Sequence, residues 1–241
     1  MNKIVLISQQ RQGSTLASTL LSSHSMVSGA GEIFKQSDLQ EVFPAWAMPL
    51  VDRYPHWYLR YKESQCKNKA FLFKFMVNQV SNPRALVKRM AKQGYKIISI
   101  HREDAVAIAF SRCIAEQTKI WFVRSPDRRT NEKVYINPQD FLTALADVTR
   151  YYRIQERVLE GIDHLPIHYE RDLCRDDNFN YFAKTACAFI GLPYEVLTSK
   201  SLPTDERSDL DRIENYRELI DVLRASEWAN YLGRYHGHFS N

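Results

Sequence analysis

Near its start the chain passes from an apolar strand into a helix through a short polar loop that holds its first glycine. Ile4-Val5-Leu6-Ile7 reads as a buried strand, Ser8-Gln9-Gln10-Arg11-Gln12-Gly13 as the loop, and Ser14-Thr15-Leu16 as the opening of a helical run that continues through Leu21. A short strand that is apolar throughout has to be covered on both faces, which calls for a parallel sheet between helix layers. The helix that follows offers unpaired backbone N–H groups and the positive end of its dipole. This is the arrangement that holds a phosphate-like anion. Gly13 lets the backbone approach such an anion, Ser14 and Thr15 add hydroxyls, and Arg11 adds a cationic fork. The same stretch taken alone also fits a plain helix cap.

The loop departs from the common nucleotide-binding pattern G-x-x-x-x-G-K-[ST], in which Lys meets the terminal phosphates and Ser/Thr meets magnesium. No Lys follows Gly13, and no glycine precedes it. That argues against an ATPase or GTPase.

Further apolar runs at 71–76, 97–100 and 166–169 join 4–8 as candidate core strands, separated by helical patterns. They predict an α/β fold, a P-loop-like three-layer sandwich with a central parallel sheet flanked by helices. A long helix is predicted over 139–160, with Asn137 as its cap, Pro138 in its first turn and Gly161 as its stop. Its apolar positions Phe141, Leu145, Val148, Tyr152 and Leu159 share one face. Two more helices are predicted over 179–190 and 212–224, with irregular stretches at 122–137 and 198–211 as candidate lids.

At 241 residues one α/β domain spanning 1–241 is the natural size. The net charge of +5 suits a polyanionic ligand, but no run of five or more Lys/Arg marks a nucleic-acid binder. Cys66, Cys113, Cys174 and Cys187 form neither a C-x-x-C pair nor a zinc spacing, so reduced thiols in a reducing compartment are expected. With no signal peptide or integral membrane segment in view, the expected location is the cytoplasm. The His236-Gly237-His238 tail promises only incidental metal affinity.

A second strand-to-helix junction narrows the field. The strand at 97–100 ends in His101-Arg102-Glu103-Asp104 and enters a helical run that carries Ser111. Together the two junctions resemble the sulfotransferases that use 3′-phosphoadenosine-5′-phosphosulfate (PAPS), whose first loop typically reads R-S-G-S-T-L. The likeness is strongest to bacterial carbohydrate sulfotransferases of the trehalose type. Leu20-Leu21-Ser22-Ser23-His24 with Gly31-Glu32-Ile33-Phe34 resembles their L-S-S-H … G-E-x-F. Phe73-Lys74-Phe75-Met76 resembles G-x-K-x-M, and Arg102 to Ser111 with Gln117-Thr118-Lys119-Ile120-Trp121 resembles R-R-D-x-V-x-x-A-x-S … Q-T-G-x-W. Tyr169-Glu170-Arg171-Asp172-Leu173 and Asn215-Tyr216-Arg217-Glu218-Leu219 resemble the downstream Y-E-x-L and N-Y-x-E-L. The motifs keep their order over almost the whole chain. Gln12 stands where the loop pattern has Ser, and Lys119 where it has Gly.

This resemblance implies a sulfotransferase that moves a sulfuryl group from PAPS, as co-substrate and without a metal, to a hydroxyl of a carbohydrate or glycoconjugate. Arg11, Gln12, Gly13, Ser14, Thr15 and Leu16 would cradle the 5′-phosphosulfate, and Arg102 and Ser111 would clamp the 3′-phosphate. Glu32 would be the base and Arg11 would neutralise charge at the bridging oxygen. His24 is the second candidate base, or else a hydrogen-bonded strut. Lys74 either touches the sulfuryl group or acceptor or points outward from its strand, and Trp121 either stacks on a sugar or packs in the core. A kinase on the same scaffold and a non-catalytic nucleotide-binding module are the alternatives. The aromatic-rich stretch 46–61 admits three readings: a homodimer contact, an acceptor wall or a lid.

Overall fold

The computed structural model describes residues 1–121, 132–174, 177–199 and 208–235. Its strands are β1 (Asn2–Ser8), β2 (Val27–Gly29), β3 (Ala70–Met76), β4 (Tyr95–His101) and β5 (Leu165–His168). Its helices are α1 (Ser14–Ser22), α2 (Gln36–Val42), α3 (Met48–Arg53), α4 (Pro55–Ser64), α5 (Pro83–Lys92), α6 (Ala105–Thr118), α7 (Pro138–Leu159), α8 (Asp177–Ile190), α9 (Asp209–Arg212) and α10 (Tyr216–Arg224). Backbone contacts group the chain into two units, Met1–His101 with Tyr151–Ser199 and Arg102–Arg150 with Lys200–Asn241.

The first unit holds one sheet in the order β2-β3-β1-β4-β5, with every neighbouring pair parallel. The alternation of each strand deals its side chains to two cores. Val5, Ile7, Phe71, Phe73, Phe75 and Ile97 join Leu39 of α2, Val51 of α3, Leu59 of α4, Val87 of α5 and Val158 of α7 on one face. Ile4, Leu6, Leu72, Ile98 and Ile100 join Leu20 of α1 and Phe182 of α8 on the other. Ile4 to Ile7 have no exposed surface at all, as a central strand covered on both faces requires. This is the predicted three-layer α/β sandwich.

At the N-terminal ends of the strands a small polar cluster closes the sheet. Lys3 pairs with Glu63 of α4 at 3.0 Å, and the Tyr95 hydroxyl donates to the same carboxylate. Burial, reinforced by the hydrogen bond and charge of Glu63, pushes the Tyr95 phenol far above its usual range.

The second unit has its own aromatic core. The Phe110 ring of α6 stacks on Phe141 of α7 at 4.6 Å between centroids and meets the edge of Tyr235 at 5.9 Å. Asn215 fastens the same unit from both ends of its amide. Its Oδ1 accepts from the Ile136 N–H at 3.1 Å and its Nδ2 donates to the Ile136 carbonyl at 2.9 Å. That double bond gives the N-Y-x-E-L element a structural role.

The expected strands are all present, most of them longer than predicted. The run at 166–169 loses its last residue, because Tyr169 starts a π turn, Tyr169–Leu173. Strand β2 was not expected: three residues ending in Gly29 carry no apolar run. The single helix expected over 212–224 is two, α9 and α10. Ile213 is extended and bridges Val134 in parallel, which breaks the helical path between them. Residues 122–131 and 200–207, from the two candidate lids, and the His236/His238 tail lie outside the described residues. No helix among the described residues is long and apolar enough to cross a membrane.

Helix α6 ends at Lys119, held in the left-handed region at φ 59°, ψ 15°. A side chain there costs about 1–2 kcal/mol that glycine avoids. Lys119→Gly, which restores the residue of the resembling pattern, is expected to stabilise the protein by about 1 kcal/mol in urea unfolding.

Candidate active site

The chain leaves β1 toward β2 and β3 on one side and later returns to β4 and β5 on the other, so the crevice beyond the end of β1 is a topological switch point, where open α/β sheets bind ligands. The loop Gln9–Gly13 lies there. Two of its residues are left-handed, Arg11 at φ 65° and Gly13 at φ 90°. For Arg11 that conformation costs about 1–2 kcal/mol, strain of the kind that gathers at ligand sites.

Gly13 precedes α1 and provides no side-chain cap, and the first turn of α1 carries no acidic residue. The first helical bond runs from the Ala17 N–H to the Gly13 carbonyl at 3.0 Å, leaving the N–H groups of Ser14, Thr15 and Leu16 ahead of the ladder. The plain-cap reading of Gly-Ser-Thr therefore loses its main support, and a phosphate or sulfate group fits the position. A Cβ on Gly13 would lie 2.4 Å from Cδ2 of the Tyr169 ring, so the glycine is required by contact as well as by its backbone angle. In the turn that carries Tyr169, buried Asp172 accepts from the His168 N–H at 2.8 Å and from Arg171 at 2.7 and 2.9 Å. Burial would raise its carboxyl, but the Arg171 and His168 hydrogen bonds outweigh burial and hold it below the usual range.

Lys74, near the end of β3, points inward. Its ammonium pairs with Glu32 Oε1 at 2.8 Å and donates to Thr15 Oγ1 at 3.2 Å. Both partners of this ion pair are largely buried, their side chains 10% and 20% exposed. Gln79 holds the other oxygen: its Nε2 donates to Glu32 Oε2 at 3.1 Å, while its Oε1 accepts from the Met76 N–H at 3.1 Å. Glu32 itself sits after Gly31, whose carbonyl accepts from the Lys74 N–H at 2.7 Å. Thr15, Glu32 and Lys74, widely separated in sequence, thus form one network at the anion loop.

His24 is elsewhere. It is buried, its Nδ1 accepts from the Met26 N–H at 3.0 Å, and its Nε2 lies 2.9 Å from the Pro193 carbonyl. Both ring nitrogens are occupied, which is the strut alternative. In the second unit Arg102 directly follows β4, and Asp104 caps α6 by accepting from the Ala107 N–H at 2.8 Å. Ser111, half-buried, lies about two turns into that helix. Trp121 is 39% exposed just beyond it, so it is not a core residue.

Gln9, Gln79 and Gln155 lie at the candidate site but in none of the motifs, and Gln12, which lies in the loop motif, bonds to Gln9. Gln9 and Gln155 hydrogen-bond each other, Gln9 Nε2 to Gln155 Oε1 at 3.3 Å, and both are buried. Gln12, fully buried, accepts from the Gln9 N–H at 2.8 Å, while its own Nε2 has no partner. An orphaned buried amide donor costs about 1–3 kcal/mol. Gln155 did leave a signal: it falls on the face of Phe141, Leu145, Val148, Tyr152 and Leu159, a polar residue within an apolar stripe. Gln79 and the Tyr169 contact left none. Among the described residues no group of three or more His, Cys, Asp or Glu is placed to hold a metal ion.

Gly13→Ala combines left-handed strain with the Tyr169 clash and should lower stability by about 2–4 kcal/mol in urea unfolding. In a Tyr169→Ala background the same change should cost distinctly less, because the clash is gone.

The model of the Stf0 sulphotransferase family matches residues 3–217. The structure resembles the crystal structure of a sulfotransferase from Alicyclobacillus acidocaldarius, with a TM-score of 0.53 and 15% sequence identity, over 98% of this chain and 94% of that one. At that identity the likeness speaks for the fold. No curated protein matches by sequence. With the family match running from the second residue of β1 into α10, through both units, the chain belongs to the Stf0 sulphotransferase family.

Proposed function

We propose that this sulfotransferase takes its sulfuryl group from PAPS and transfers it to a hydroxyl of a carbohydrate or glycoconjugate. The observation that carries the reading is the Thr15–Lys74–Glu32 network: a carboxylate held beside an uncapped helix N-terminus, with one ammonium touching both. Glu32 takes the hydroxyl proton. The acceptor oxygen forms the new S–O bond as the bond to the 5′-phosphate breaks, and the electron pair leaves with adenosine 3′,5′-bisphosphate. In-line transfer of this kind asks the protein mainly for positioning and for positive charge around the equatorial and leaving oxygens.

Arg11, Gly13, Ser14, Thr15 and Leu16 provide the cradle for the 5′-phosphosulfate, and Lys74 adds charge beside Thr15. Arg102 and Ser111 bind the 3′-phosphate, an assignment supported by the motif resemblance. Trp121 is exposed and suits stacking on the acceptor sugar. The exposed Trp46 and Trp57 give a second aromatic surface, fit for an acceptor or a second copy of the chain. The free cysteines suit the reducing conditions of a cytoplasm.

Calorimetric titration with adenosine 3′,5′-bisphosphate should give tight binding that does not depend on magnesium, with ADP plus magnesium far weaker. Preference for ADP with magnesium would transfer the reading to a kinase. Arg102→Ala should weaken the bisphosphate by about 10–100-fold while leaving adenosine 5′-phosphosulfate, which lacks the 3′-phosphate, little changed. Equal losses for both ligands would sink the clamp. Glu32→Gln should keep bisphosphate binding and lose about 10²–10⁴ in kcat with a sugar acceptor found by screening. Turnover at the parent rate would remove Glu32 as base.

A further inference from the structure

Buried between the loop after β1 and the end of β4 is a chain of three glutamines, of which Gln12 alone falls in a sequence motif. Its first bond closes the loop on itself: the Gln9 N–H donates to Gln12 Oε1 at 2.8 Å, spanning left-handed Arg11. Its second leaves the loop, with Gln9 Nε2 donating to Gln155 Oε1 of α7 at 3.3 Å and reaching the Tyr151 carbonyl at 3.5 Å. Its third ends on β4, where Gln155 Nε2 donates to the Ile100 carbonyl at 3.0 Å. Gln9, Gln12 and Gln155 are 6%, 0% and 5% exposed.

The orientation of every amide is chemically compelled. A backbone N–H can only donate, so Gln12 presents oxygen to Gln9. A backbone carbonyl can only accept, so Gln155 presents nitrogen to Ile100 and oxygen to Gln9. That leaves Gln9 nitrogen as the donor. No second arrangement of the three side chains satisfies the same partners.

The backbone pairing of β1 with β4 runs as far as Ile7 and Ser99. Beyond it the ends of the two strands are joined through these side chains. The loop needs such a tether, since it carries two left-handed residues and belongs to neither the sheet nor the helix. Gln12 also leaves its Nε2 unpartnered in a fully buried position, where the Ser of the resembling pattern would leave no amide behind. Against that penalty stands what the other end of Gln12 does: its Oε1 holds the Gln9 N–H.

We propose that Gln9, Gln12 and Gln155 are positioning residues for the sulfuryl donor. They fix the anion loop in its binding shape before the ligand arrives, so that the Ser14, Thr15 and Leu16 amides and Arg11 need no ordering on binding. This rests on the reading of the loop as the donor site. Gln155 is the decisive position, because it lies outside the loop and, among the described residues, meets it by hydrogen bonding at Gln9.

The test is calorimetry with adenosine 3′,5′-bisphosphate on the full chain, alongside thermal unfolding and amide exchange at Gln9. Gln155→Leu, with Gln155→Met as a second apolar replacement, should raise the Kd by about tenfold or more and speed exchange of the Gln9 amide. Gln12→Ser should do the same. The double variant Gln12→Ser with Gln155→Leu should bind no worse than the weaker single, since bonds that act as one unit are not additive. A purely structural role would lower the Tm and leave the Kd of the folded protein at its parent value; that result, or additive losses in the double variant, would overturn the proposal. Failure of the unmodified chain to bind the bisphosphate would instead remove the donor reading, and this proposal with it. Should both Gln155 variants fail to fold, a parent Kd and parent Gln9 exchange in Gln12→Ser would overturn it equally.

Discussion

Strand β1 lies between β3 and β4, bonded in parallel to both, and the candidate site is placed relative to it. Its four apolar residues are sealed from water on both faces, so the strand cannot slide or tilt without opening two cores at once. The loop at its end and the amides of α1 inherit that rigidity. Lys74 comes from the neighbouring strand in the same register, paired opposite Leu6, and Glu32 is tied to β3 through the Gly31 carbonyl. Precision in this site is borrowed from the sheet.

The uncapped start of α1 and the largely buried Lys74 come together at Thr15, whose Oγ1 accepts from the ammonium, and the same ammonium is paired with the Glu32 carboxylate. Gln79, neutral and anchored by Met76, keeps that carboxylate in place.

Much of the fold could be read from the chain because its strands are continuous apolar runs and its long helices carry stripes with clear ends. Strand β2 could not, since its pairing to β3 comes from backbone bonds at Val27 to Gly29 rather than from apolar side chains. The division between α9 and α10 was hidden for a similar reason: Ile213 and Asn215 answer to partners at Val134 and Ile136, remote in sequence. At the candidate site, residues with motifs could be named as candidates from the sequence, and those acting through geometry could not. Lys74 looked equally suited to point in or out until Glu32 and Thr15 were seen around it. His24 had the chemistry of a base, but its surroundings employ both nitrogens. Gln79 is joined to Glu32 and Met76 by hydrogen bonds, and Tyr169 crowds Gly13; no local pattern encodes these pairings.

Because all five strands point the same way, the two ends of the sheet answer to different demands. One end carries the loop, the Lys74–Glu32 ion pair and the first amides of α1. The other carries Lys3, Glu63 and Tyr95, tied together by an ion pair and a hydrogen bond. A seven-residue strand separates them by roughly 20 Å, about twice the distance over which exposed charges feel each other in physiological salt. Selection can therefore work on the two ends separately. Adaptation to temperature can proceed at Lys3 and Glu63, and a change of substrate at the loop, without either history being written into the other.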